Sequence, residues 1–224
     1  MMAIHLQREI EKIKKQLLHL SALVEEDFNK GVRAFETGDT KLTGEVVAGD
    51  EEIDRLEVEL EENCLKILAL HQPVAIDLRF IIAVLKINPS LERIGDFAVK
   101  IARAAEFTQK YGRDKNFSDF VQMAEMTQRS LKRSLDALVN LDAALAEEVR
   151  REDAEIDRMK FRLNDRIREE MKLDPAQIDF YVKLLGVSRY FERAADHASS
   201  IAEDVIYLVS GEIVRHQDEA PGEG

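Results

Sequence analysis

The stretch Leu91-Glu92-Arg93-Ile94-Gly95-Asp96 has a counterpart one hundred positions later, Phe191-Glu192-Arg193-Ala194-Ala195-Asp196. In each, a Glu precedes an Asp by four residues, so on a helix the two carboxylates stand one turn apart on the same face. The correspondence extends upstream. Asp50-Glu51-Glu52-Ile53-Asp54-Arg55-Leu56 matches Asp153-Ala154-Glu155-Ile156-Asp157-Arg158-Met159 at an offset of 103. The missing three residues fall around the turn between the second and third helices of the second half, where a deletion leaves both helical faces intact. A pattern duplicated over this length predicts two copies of a three-helix unit, packed as antiparallel bundles.

Working outward, every segment between the copies carries a helical period. Ile10, Ile13, Leu17, Leu20 and Val24 form an apolar seam on a first helix from about Ile4 to Phe35. Thr37-Gly38-Asp39 supplies a break and a fresh cap. A second helix then runs toward Leu70 on Ile53, Leu56, Leu60, Cys64 and Ile67, with loosening expected at Gly44 and Gly49. Gln72-Pro73 ends it. The third helix carries Leu78, Ile81, Ile82, Leu85, Leu91, Ile94, Ala98 and Ile101, with Pro89 expected to bend it. Tyr111 to Asn116 reads as a linker. The second half predicts helices from about Ser118 to Leu141, Ala144 to Met171, and from an Asp174-Pro175 start to Ser210. The expected division is one repeat over 1–112, a second over 113–211 and a flexible tail over 212–224.

Composition agrees with an all-α chain. Of 224 residues, 45% are apolar and 34% charged, with ten Gly, four Pro and no Trp to interrupt helices. The net charge of −12 argues against nucleic acid and against anionic membrane surfaces, leaving cations and basic proteins as the expected partners. No apolar run of about 18 residues is present to span a bilayer, and the amino terminus lacks the apolar core of a secretory signal. Cys64 is the single cysteine and falls on the apolar stripe, so it reads as a core filler. Together these features point to the cytoplasm.

The acids carry the chemistry. Asp50, Asp54, Glu57 and Glu61 recur on the second helix at steps of four, three and four, opposite the Glu92/Asp96 pair. Helices pack about 8–10 Å apart, so carboxylates on facing flanks can converge on one ion. All-oxygen ligands suit hard divalent or ferric ions. Iron, magnesium, calcium, manganese and zinc are the candidates, and the competing reading of the same acids is a solvated or docking surface. Lys100, one turn beyond Asp96, competes with any cation there, which favours the second copy. His197, beside Asp196, is placed to support a ligand by hydrogen bonding.

A carboxylate-bridged di-iron enzyme is the catalytic alternative, and it needs Glu-x-x-His on two helices. None of the five histidines has a Glu three positions before it. With no nucleophile–base pair and no phosphate-cradling glycine loop, no catalysis is expected. A purely structural helical scaffold would make the acids incidental.

Gln72-Pro73-Val74-Ala75-Ile76-Asp77-Leu78-Arg79 together with the two acidic phrases, the second continuing His197-Ala198 to Ile201-Ala202-Glu203, resembles the PhoU family of phosphate-uptake regulators. The resemblance spans roughly Ile4 to Ser210. It implies tandem three-helix bundles in a cytoplasmic, often homodimeric protein. It also implies a negative regulator of phosphate uptake and of the phosphate-starvation response, acting between a phosphate ABC transporter and a sensor histidine kinase. Some relatives bind metal through such acidic pairs, which by position are Asp50, Asp54, Glu92 and Asp96 in the first half and Asp153, Asp157, Glu192 and Asp196 in the second. The family phrase departs in the first half, where Phe97, Lys100 and Arg103 stand at its His, Asn and Glu positions. In the second half, Ser200 replaces the Asn.

Overall fold

The computed structural model describes residues 2–111 and 117–214. Its elements are α1 (Met2–Thr37), α2 (Thr40–His71), α3 (Ala75–Ala102), α4 (Ala105–Tyr111), α5 (Phe117–Asn140), α6 (Ala143–Leu173), a 3-10 turn at Pro175–Gln177 and α7 (Ile178–Ser210). Six are long, α4 is short, and there is no strand among the described residues. The duplication reaches the helix starts. The Asp39 carboxylate accepts hydrogen bonds from the Lys41 and Leu42 amides at 2.9 and 3.4 Å, capping α2. Asp142, at the same offset of 103, accepts from the Ala144 and Leu145 amides at 3.0 Å and caps α6. Each such cap is worth about 1 kcal/mol because it satisfies amides that the helix itself leaves open.

The seam on α1 is buried from Ile10 to Phe35, and the stripe on α2 is buried at all five predicted positions, Cys64 included. Burial pushes the Cys64 thiol up to about 12, as expected for an inert core residue. α1, α2 and α3 pack on one another, as do α5, α6 and α7, and α3 lies against α7 to join the halves. That junction is antiparallel: Lys86 pairs with Asp204 at 3.5 Å, Ser90 meets His197, and Phe97 stacks on Tyr190 at 6.1 Å. Aromatic rings close the interior between the halves. Phe191 lies edge-on to Phe28 at 6.5 Å and to Phe35 at 6.2 Å, and Phe35 meets Phe120 at 5.7 Å.

Several local expectations need correcting. Leu78 is 38% exposed, because the helix opens only three residues before it and its first turn projects beyond the partners that cover Ile81. α2 runs unbroken through Gly44 and Gly49, whose propensity cost is small against the tertiary burial of the helix. Pro89 lies inside α3, as the sequence placed it. α4 is a short helix that the sequence does not announce, and it takes in Tyr111 of the expected linker. The Asp174 carboxylate does not cap a helix; it accepts from the Gln177 side chain at 2.7 Å, and α7 begins after the 3-10 turn. Residues 112–116 of the expected linker and 215–224 of the expected tail lie outside the described residues.

Candidate metal centre

In the second half, α6 carries Asp153 and Asp157 one turn apart, and the facing flank of α7 carries Glu192 and Asp196. The structure brings three of the four together. Asp157, Glu192 and Asp196 each offer a carboxylate oxygen, and these oxygens all lie within 4.8 Å of one another. Asp153 borders this group. Its carboxyl is pushed up to about 7, first by desolvation and then by the charges of Asp196, Asp157, Glu192 and Glu203. Asp196 sits at the mouth, where partial desolvation followed by Glu192 and Asp157 pushes it up to about 6, against the pull of Lys160 and Arg193. Four acids so arranged hold more negative charge than their surroundings offset, and a hard cation fits the all-oxygen donor set. One offset is built in: the Lys160 ammonium donates to Glu192 across the α6–α7 interface, with both side chains mostly buried.

The equivalent acids of the first half are arranged differently. Asp50 and Asp54 lie on α2, and Glu92 and Asp96 on α3. Asp96 accepts from Lys100 at 2.9 Å and lies 3.5 Å from Arg93, whose Nε is 3.4 Å from Glu92. Among the described residues, no three carboxylates there approach as closely as in the second half. Desolvation still raises the Asp50 carboxyl, helped by Asp54, Asp96 and Asp27, and desolvation raises Glu92.

Asp27 is a participant that the sequence reading missed. It stands on α1, 6% exposed, with its carboxylate against Gly49 of α2, where a Cβ would have no room. Desolvation raises it, and Lys30 at 3.6 Å opposes the rise. The signal was present: Leu20, Val24 and Asp27 continue one apolar stripe, so a charge interrupts a core-facing row.

The two lysines occupy different places in the repeat. Lys100 corresponds to Ser200, whose hydroxyl donates to the Asp196 carbonyl at 3.0 Å, whereas Lys160 corresponds to Glu57. Each acidic set has therefore acquired one ammonium group from its own position. Between the sets, the α3–α7 junction holds a groove of about 310 Å³ lined by Arg93, Phe97, Lys100, Arg193 and His197 along with Asp96 and Asp196. The His197 ring turns toward α3, with Nδ1 3.4 Å from the Ser90 hydroxyl and the ring 5.9 Å from Phe97, rather than toward the acids. Desolvation, then Arg93 and Arg193, hold its pKa below the usual histidine value.

Comparison with known proteins agrees with this architecture. The PhoU domain model matches residues 17–105 and 120–205, once for each half. A phosphate-specific transport system accessory protein PhoU homolog from Pseudomonas putida is 37% identical over 210 residues, covering 93% of this chain and 82% of its own. A protein of the same name from Aquifex aeolicus is 36% identical, covering 94% and 95%. The crystal structure of PhoU from Pseudomonas aeruginosa superposes with a TM-score of 0.89 at 35% identity, over 92% of this chain and 99% of that one. A phosphate transport system regulatory protein PhoU from Streptococcus pneumoniae superposes at 0.85 with 28% identity, over 93% and 99%. Duplicated sequence, duplicated fold and two matched domains along one continuous chain leave a single assignment: it belongs to the PhoU family.

Proposed function

We propose that this chain is a negative regulator of phosphate uptake and of the phosphate-starvation response. It acts in the cytoplasm as a non-catalytic adaptor between a phosphate ABC transporter and a sensor histidine kinase. The observation that carries this reading is the match of both halves to the PhoU domain, in relatives named as accessory proteins of the phosphate-specific transport system. Among the described residues no helix is long and apolar enough to cross a membrane, so association with a transporter would be through protein contact.

The second-half acids are the proposed metal site, with Asp157, Glu192 and Asp196 holding the ion and Asp153 completing the charge. Iron, magnesium, calcium, manganese and zinc remain the candidates by donor type. The ion would neutralise the cluster and draw α6 and α7 together. A homodimer is the assembly that the family resemblance implies.

Deleting the gene and assaying phosphate uptake and alkaline phosphatase under phosphate plenty tests the regulatory reading. Both should rise, and unchanged levels of both would refute it. Metal binding is tested separately by elemental analysis and by melting with and without added cations. Stabilisation should appear in the wild type and vanish in the double variant Glu192→Ala/Asp196→Ala. Equal melting of both proteins in every ion would instead favour the acids as a docking surface for a basic partner.

A further inference from the structure

Glu57 on α2 and Glu92 on α3 occupy the positions at which the second half places Lys160 and Glu192. There the α6 ammonium donates to the α7 carboxylate, so the second half carries its own cation at that point of the helix interface. The first half sets a carboxylate on each helix instead, both partly buried. Like charges at such positions repel, and more strongly where water is partly excluded. Desolvation raises both carboxyls. Glu61 and Asp54 add to the rise at Glu57, while Asp96, Asp54 and Glu57 add to it at Glu92 against the pull of Arg93. Arg93 reaches Glu92 from an exposed side chain, with its Nε 3.4 Å from Oε2.

A second observation is independent of charge. Asn88 stands one turn before Glu92 on the same face of α3 and is 1% exposed. Its Nδ2 donates to the Glu57 carbonyl at 2.8 Å and to Glu57 Oε1 at 3.0 Å. A carbonyl can only accept, which fixes the amino end of the amide toward α2 and leaves the oxygen over. Asn88 Oδ1 is buried and has no hydrogen-bond partner among the described residues. The two amide atoms share one carbon, so this orphaned acceptor lies beside the Glu57 carboxylate. A buried acceptor without a donor is costly, and a cation satisfies it together with the acids around it. At the equivalent position of the second half, the Ser188 hydroxyl is bonded to Asn164 Oδ1 at 2.8 Å and to the Leu185 carbonyl at 2.9 Å. We infer that Asn88 Oδ1 and the carboxylates of Glu57 and Glu92 hold a calcium ion between α2 and α3, with water completing its shell. Amide and carboxylate oxygens in one set suit calcium, whereas magnesium keeps most of its water. The site shares Glu92 with the acids expected from the repeat, but Glu57 and Asn88 belong to neither pair. It does not depend on an ion in the second half.

The test titrates the full chain with calcium by calorimetry, in the Glu192→Ala/Asp196→Ala background so that the second-half acids do not contribute. One calcium per chain should bind and should raise the melting temperature. Asn88→Ser and Glu57→Gln should each weaken binding at least about tenfold. Glu57→Gln also keeps an oxygen for the Asn88 amide, so its fold is preserved. Glu57→Lys installs the ammonium of the second half and should abolish calcium binding while melting, in a chelator, above its parent. Glu62→Gln removes a charge from another face of α2, where Glu62 pairs with Lys66, and should leave calcium affinity unchanged. Melting in a chelator confirms that each variant folds. No calcium binding in the background protein would overturn the site, as would binding unaltered in either Asn88→Ser or Glu57→Gln. Loss of binding in Asp50→Asn but not in Asn88→Ser would overturn it too, by placing the ion among the repeated acidic pairs.

Discussion

Asp153→Asn isolates the electrostatic load of the acidic cluster, because it removes one charge while conserving shape. In the folded chain this carboxyl is raised from 3.8 to about 7. A rise of that size withholds about 4 kcal/mol from the ionised fold, and solvent reaching part of the side chain lowers this to about 2 kcal/mol. The fold holds this proton more tightly than the unfolded chain does. Wild-type stability should therefore fall as pH climbs from about 4 through about 7, and level off above. Asp196, at about 6, titrates within the same window. The variant keeps its neutral amide at every pH, so its profile should be flatter. At pH 8 in a chelator it should melt about 4–8 °C above the wild type for a chain of this size. Added manganese should narrow the gap by offsetting the same charge in the wild type. Thermal melts across pH 5 to 8 decide the matter. A variant melting at or below the wild type at pH 8, or a wild type that gains stability from pH 5 to 7, would refute the reasoning.

Three further substitutions probe other parts of the structure. Lys160→Met frees Glu192 of its ammonium partner, so calorimetry should show manganese binding about tenfold tighter while the metal-free protein melts lower; unchanged affinity would show that the lysine does not compete with an ion. Phe191→Ala removes the ring shared by Phe28 and Phe35 and should cost about 3–5 kcal/mol in urea unfolding, since the cavity lies between the halves. Gly49→Ala sets a Cβ against the Asp27 carboxylate and should destabilise by about 1–3 kcal/mol, with Asp27→Ala/Gly49→Ala recovering part of the loss in a double-mutant cycle.

Much of the fold was legible because α-helical burial writes a period into sequence. The rows Ile10–Val24 and Ile53–Ile67 fixed the faces of α1 and α2, and the offsets of 103 and 100 fixed the duplication. The capping Asp142 could have been found from Asp39 by the same offset. Helix interruptions were less legible. Gly44 and Gly49 carry local penalties that tertiary packing overrides, and α4 is too short to show a period. At the candidate site, sequence named the acids but not their partners. Glu192 and Lys160 are thirty-two residues apart, and Asp27 and Gly49 meet only because α1 and α2 cross there. Pairing across helices depends on packing, which a single-helix period does not record.

The placement of the two ammonium groups makes the halves mechanically unequal. Lys100 and Asp96 sit on the same helix, one turn apart, so their bond survives any sliding of α2 past α3. Lys160 and Glu192 belong to different helices, and their bond stretches as soon as α6 shifts along α7. A cation at the proposed second-half site would exchange this strut for its own bonds across the same two helices. The same event in the first half would rearrange side chains of α3 alone, because the bond it displaces joins two residues of one helix.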